Sequence, residues 1–235
     1  MRFNRIFLFL LIFLLIASPL SSCKKANAAT TETNAAPKTD FIDELTFLGD
    51  STTAHMQLRA SVDKSKVWAA KNRYLNLDPR ITNAKIIAPD TGEEELIASV
   101  AARLTPRYLV ITLGVDYGVY YYRDKPEEFR HYYDKLLSAL KNASPETVLI
   151  LQSIFPVGRS SAVITNEMVQ GANRVIREIA DARGLAFVDQ TRVLADDEGY
   201  LRPEFCYSED GIHLTATAYS AILSHLSALE HEIRG

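Results

Sequence analysis

Apolar and polar residues follow two rhythms along most of this chain. Short continuous apolar runs, rich in β-branched side chains, occur at 45–49 (LTFLG), 85–88 (KIIA), 108–113 (YLVITL), 147–153 (TVLILQS) and 185–189 (LAFVD). Such runs predict strands buried on both faces. Helical spacing fills the intervals. Residues 93–103 begin acidic and end basic, as a helix dipole prefers. Residues 126–142 open with Pro126 and two glutamates. Residues 166–183 place Met168, Ala172, Val175, Ile176, Ile179 and Ala180 on one face, with Gly184 as a stop. Residues 215–231 align Ala218, Ile222 and Leu226. Strand–helix alternation of this kind predicts a flavodoxin-like, three-layer α/β/α domain around a five-stranded parallel sheet. The stretch 59–84 has few periodic signals and reads as a long loop with short helical turns.

The N-terminus breaks both rhythms. Residues 1–5 carry two arginines and no acid, and 6–17 are continuously apolar. That run is too short to span a bilayer but suits a secretory leader. Leu20-Ser21-Ser22-Cys23 resembles the bacterial lipobox, which implies cleavage before Cys23 and lipidation of its thiol. An ordinary signal peptide cut near Ala29 is the alternative. Residues 24–40 contain no large apolar side chain and read as a flexible tether. The expected organisation is therefore a leader over 1–22, an anchored tether over 23–40 and a domain over 41–235. The product would be exported and held to a membrane by lipid on its extracytoplasmic face.

Composition narrows the function. The chain has 235 residues, 47% hydrophobic and 23% charged, with net charge −3. Loss of the leader takes Arg2 and Arg5 with it and moves the charge to −5. This balance lacks the basic footprint of nucleic-acid binding. With Cys23 acylated, Cys206 has no disulfide partner and reads as a half-buried thiol.

Two motifs carry candidate chemistry. The first predicted strand ends in Gly49-Asp50-Ser51, which puts a hydroxyl at the carboxyl edge of the sheet, where such folds place their sites. A helix cap is the structural alternative. Near the other end, Asp210-Gly211-Ile212-His213 precedes the last helix. An Asp three residues before a His on one turn can take the imidazole Nδ1–H, leaving Nε2 to deprotonate a serine.

With these two blocks, FLGDST and DGIH, residues 41–235 resemble the SGNH, or GDSL-like, hydrolases. The resemblance implies a serine esterase without metal or cofactor, in which Ser51 is the nucleophile, His213 the general base and acid, and Asp210 the group that orients His213. It also implies an oxyanion hole of the Ser51 N–H, a glycine N–H and an Asn amide. Gly92 is the candidate glycine, and a plain turn glycine is its alternative. Asp116 stands where the family has Asn. An ionised carboxylate cannot donate to an oxyanion. Asp116 is therefore protonated, or redirected to a group such as a sugar hydroxyl, or the mark of a weakened relative.

Residues 117–123 (YGVYYYR) offer Tyr117 and Tyr120 as a platform for a sugar ring, or as packing within a long loop. Gln152, Ser153 and Arg159 follow the fourth strand at the same edge. The other histidines, His55, His131, His225 and His231, match no block and read as surface or helix residues. The leading expectation is a tethered esterase acting on O-acyl, for example acetyl, groups of extracellular carbohydrate. A non-catalytic carbohydrate- or partner-binding lipoprotein of the same fold is the first alternative, and a lipase or lysophospholipase the second.

Overall fold

The computed structural model describes residues 40–115 and 117–235. The leader, Cys23, the tether up to residue 39 and Asp116 lie outside them.

In chain order the elements are α1 (Phe41–Glu44), β1 (Leu45–Gly49), α2 (Ser51–Ala54), α3 (Met56–Arg59), β2 (Val67–Trp68), β3 (Lys85–Ile87), β4 (Glu94–Leu96), α4 (Ile97–Leu104), β5 (Tyr108–Thr112), α5 (Pro126–Ala143), β6 (Val148–Gln152), α6 (Asn166–Arg183), β7 (Ala186–Val188), α7 (Thr191–Leu194), α8 (Ala216–Ala228) and α9 (Glu230–Arg234). The main sheet is parallel throughout, in the order β2-β1-β5-β6-β7. Counted within that sheet, this is the 2-1-3-4-5 order of the flavodoxin-like class.

Alternate side chains of each strand enter opposite layers. Leu48, Leu109, Ile111, Leu149 and Leu151 pack with α4, α5 and α6. Leu45, Phe47, Tyr108, Val110 and Ile150 pack with α1 and α8. Local signals set several boundaries. Thr165 caps α6 by accepting from the Met168 N–H, and Gly184 ends it in the left-handed conformation at φ +62°.

Two predicted elements differ. The KIIA run is not a strand of the main sheet. Lys85–Ile87 pairs antiparallel with Glu94–Leu96 in a separate hairpin, where Lys85 is exposed and Ile86 buried. The second strand of the main sheet is instead Val67–Trp68, inside the stretch that reads as loop. Two residues suffice there because both side chains are buried against β1 and its flanking layers. Pairing also takes Glu94–Leu96 away from the predicted helix 93–103, so α4 begins at Ile97. The charge pattern that suggested a helix dipole is a cluster in which Arg103 bonds both Asp90 and Glu95.

The chain leaves β1 toward β2 on one side and returns through β5 on the other. The crevice beyond the carboxyl ends of β1 and β5 is thus the switch point where such sheets bind ligands.

Candidate active site

Glycine at position 49 is a steric necessity. A Cβ there would lie 2.1 Å from the Thr112 carbonyl and 2.2 Å from Thr53 Oγ1. The turn that follows is organised by Asp50, which is almost fully buried. Its Oδ2 accepts from the backbone N–H groups of Gly114 and Val115, each at 3.0 Å, and its Oδ1 from the Thr52 hydroxyl at 3.0 Å. Asp50 therefore ties the loop after β5 to the turn after β1. Ser51 opens α2 directly behind it. The Tyr219 hydroxyl donates to the Thr52 carbonyl at 2.6 Å, which fastens α8 to the same turn.

The DGIH segment folds around its own aspartate. Asp210 Oδ1 accepts from the N–H groups of Ile212 and His213, and Oδ2 lies 2.6 Å from His213 Nδ1. Burial works against the charge of Asp210, but the Ile212 N–H and the His213 ring hold its carboxyl well below the usual carboxylate range. An ionised Asp210 only accepts, so His213 Nδ1 carries the hydrogen of this contact. Gly211, at φ +70°, lets this turn touch the loop after β6, where a Cβ would lie 2.8 Å from the Ser161 N. The Tyr207 N–H donates to the His213 carbonyl at 2.7 Å and holds the segment from the other side.

His55 joins the two motifs, contrary to its reading as an ordinary helix residue. It lies one helical turn after Ser51, with its N–H on the Ser51 carbonyl at 3.0 Å. Its buried ring packs on that of His213, centroids 4.5 Å apart and planes tilted by 53°. Its Nε2 lies 3.3 Å from Arg73 Nη1. A guanidinium only donates, so Nε2 accepts and the hydrogen resides on Nδ1, which is buried without a partner. Burial first, then the charges of His213, Arg59 and Arg73, push the His55 pKa down to about 4. It is neutral at pH 7. The signal for His55 in the sequence was its i+4 spacing from Ser51.

Other candidates are placed elsewhere. Gly92 is a correction: its N–H donates to the Ala88 carbonyl at 2.8 Å in the turn joining β3 to β4. An N–H committed to a turn does not serve an oxyanion hole, and φ +75° accounts for the glycine. Gln152 and Ser153 are buried and bond Thr112 and Gln190 beneath the edge. Arg159 pairs with Asp196 and Glu198. Tyr117 stacks on Tyr121 at 4.0 Å, and the Arg123 guanidinium covers a face of Tyr120. The tyrosines thus pack largely on their own loop, leaving exposed rims rather than a bare platform. Cys206 is half-buried, with its Sγ 3.0 Å from the Ser208 carbonyl oxygen.

A cavity of about 650 Å³ lies between the tyrosine loop and the first turns of α5 and α6. Neither Ser51 nor His213 lines it, so size alone does not locate the reactive centre. Among the described residues, no group of three or more His, Cys, Asp or Glu is arranged to hold a metal ion.

A parallel α/β domain with a Gly-Asp-Ser turn on its first strand and a paired Asp and His before its last long helix belongs to a class of esterases and acylhydrolases. The GDSL-like Lipase/Acylhydrolase family matches residues 47–221, and the chain belongs to that family. Solved structures share its fold. A GDSL-like lipase from Bacteroides thetaiotaomicron is 15% identical at a TM-score of 0.52, covering 81% of this chain and 89% of its own. A protein assigned to the G-D-S-L lipolytic family from Desulfitobacterium hafniense is 15% identical at 0.51, covering 79% and 98%. No curated protein sequence matches the chain.

Proposed function

We propose that this chain is a serine ester hydrolase in which Ser51 is the nucleophile, His213 the general base and acid, and Asp210 the orienting carboxylate. The observation that carries the reading is the 2.6 Å contact of Asp210 with His213 Nδ1, on a ring brought to the Ser51 turn through His55. Ser51 Oγ attacks the ester carbonyl and passes its proton to His213 Nε2. The alcohol leaves with that proton, and water then releases the acyl group from Ser51. With the Gly92 N–H engaged, the oxyanion falls to the Ser51 N–H, and to Asp116 only in its protonated form.

The ester is of the O-acyl kind, for example O-acetyl. The setting is a membrane surface, reached through lipidation at Cys23, and acylated polysaccharide is the first candidate substrate. The competing reading is a non-catalytic binding protein of the same fold. It is favoured by the loss of the Gly92 donor together with Asp116 in place of Asn.

Hydrolysis of a short-chain aryl acetate by the chain, compared with its Ser51→Ala variant, separates the two. Activity abolished by the substitution is expected; equal background rates sink the esterase reading. Cys23→Ala is expected to release the protein from membranes, and retention contradicts the lipid anchor.

A further inference from the structure

Two guanidinium groups flank the stacked His55 and His213 rings, and neither meets a carboxylate among the described residues. Arg73 gives Nη1 to His55 Nε2 at 3.3 Å. Arg59 lies 3.4 Å over the Tyr207 ring and gives Nη1 to the Leu214 carbonyl, beside the His213 segment. Arg80, Arg103, Arg159 and Arg234, by contrast, each sit 2.5–2.8 Å from a carboxylate oxygen. Leaving cations unpaired at the reactive edge has a cost. Both positive charges act on His55, and the acid beside the rings, Asp210, is already committed to His213. The backbone of Arg73 adds to this, since it is left-handed at φ +66° in a residue with a full side chain. Its N–H closes the turn on the Ala70 carbonyl at 2.8 Å, which fixes where the side chain departs.

We propose that Arg59 and Arg73 are specificity-determining residues that bind an anionic group on the alcohol part of the ester, a carboxylate or a phosphate. The inference rests on the esterase reading above and names its substrate class. Each guanidinium retains donors beyond those the fold uses, in the fork geometry that matches carboxylate and phosphate oxygens. The anion belongs to the alcohol part because the alcohol leaves beside His213, which returns its proton, and Arg73 and Arg59 reach that ring's neighbours His55 and Leu214.

The test uses the full chain with three aryl acetates: methyl 4-acetoxybenzoate, which is neutral, 4-acetoxybenzoate, and 4-acetoxyphenyl phosphate. Binding is measured on the Ser51→Ala protein by calorimetry, and kcat/KM on the active protein, divided by each ester's spontaneous hydrolysis rate. At least one anionic ester is expected to bind about tenfold tighter than the neutral one, as one charge-assisted hydrogen bond provides. The better of the two identifies carboxylate or phosphate. Arg73→Gln and Arg59→Gln are each expected to remove most of the preference for the anionic esters. Arg73 is exposed, so its variant folds even where loss of the Arg59 contact to Leu214 does not permit it. Absence of a preference, including failure to bind any of the three, overturns the proposal, as does a preference that survives Arg73→Gln. Preferential binding without turnover overturns the esterase reading instead and leaves the anion site standing.

Discussion

Asp50→Ala removes the acceptor shared by the Gly114 and Val115 N–H groups and the partner of the Thr52 hydroxyl. Both N–H groups belong to buried backbone, so truncation strands them. A hydrogen bond to a charged group contributes about 1.5–3 kcal/mol, and a stranded buried donor costs about 1–3 kcal/mol. These figures overlap rather than add. A water entering the vacated space can also satisfy one donor. The expected loss is about 3–5 kcal/mol. Asp50→Asn separates charge from geometry. Its amide oxygen can still accept both N–H groups, and its NH₂ can donate to the Thr52 hydroxyl, so the expected loss is only about 1–2 kcal/mol. Urea or guanidinium unfolding reads both variants as shifts of the midpoint at unchanged slope. A loss below about 1 kcal/mol for Asp50→Ala would refute the view that Asp50 holds the loop after β5 to the Ser51 turn. Equal losses for Ala and Asn would show that the charge, not the paired acceptor geometry, does the holding.

Gly92→Ala is expected to cost about 1–2 kcal/mol, because φ is +75° there while a Cβ meets nothing within 4 Å. Its kcat/KM should be unchanged; a fall of about 10²-fold would return Gly92 to the oxyanion hole. His55 has a folded pKa of about 4 against an ordinary 6.5. The unfolded chain therefore binds its proton first, and stability present above pH 6.5 is lost as pH falls toward 4. The linkage is worth up to about 3 kcal/mol. Unfolding midpoints of His55→Gln should show a flatter profile in that window, and an unaltered profile excludes His55 as the source. Asp116→Asn supplies the amide donor that the family has at this position and is expected to raise kcat by about tenfold or more. A slower variant would instead give Asp116 a role of its own.

Much of the frame was legible because its signals are local. Thr165 and Gly184 bound α6 within a few residues, and Pro126 opens α5. The runs at 45–49, 108–113 and 147–153 announce strands buried on both faces, and that at 185–189 announces the edge strand β7, which is only half-buried at Ala186 and Phe187. The hairpin was not legible. Ile86 and Ile87 look as strand-like as Val67 and Trp68, and nothing nearby states which pair lies beside β1. The error over Gly92 follows from that one, since a glycine placed after a main-sheet strand is a candidate donor and the same glycine in a hairpin is a turn.

By itself, then, the sequence determined the strand–helix alternation, the Gly-Asp-Ser turn and the Asp-x-x-His segment, because each is encoded by residues a few positions apart. The tertiary structure alone decided which two residues complete the sheet, that Asp50 faces inward to hold a loop 64 residues away, and that His55 packs on His213 with Arg73 on His55 and Arg59 on the Leu214 carbonyl. Those outcomes depend on contacts between distant segments. Composition and spacing constrain such contacts only after the strands have found their partners.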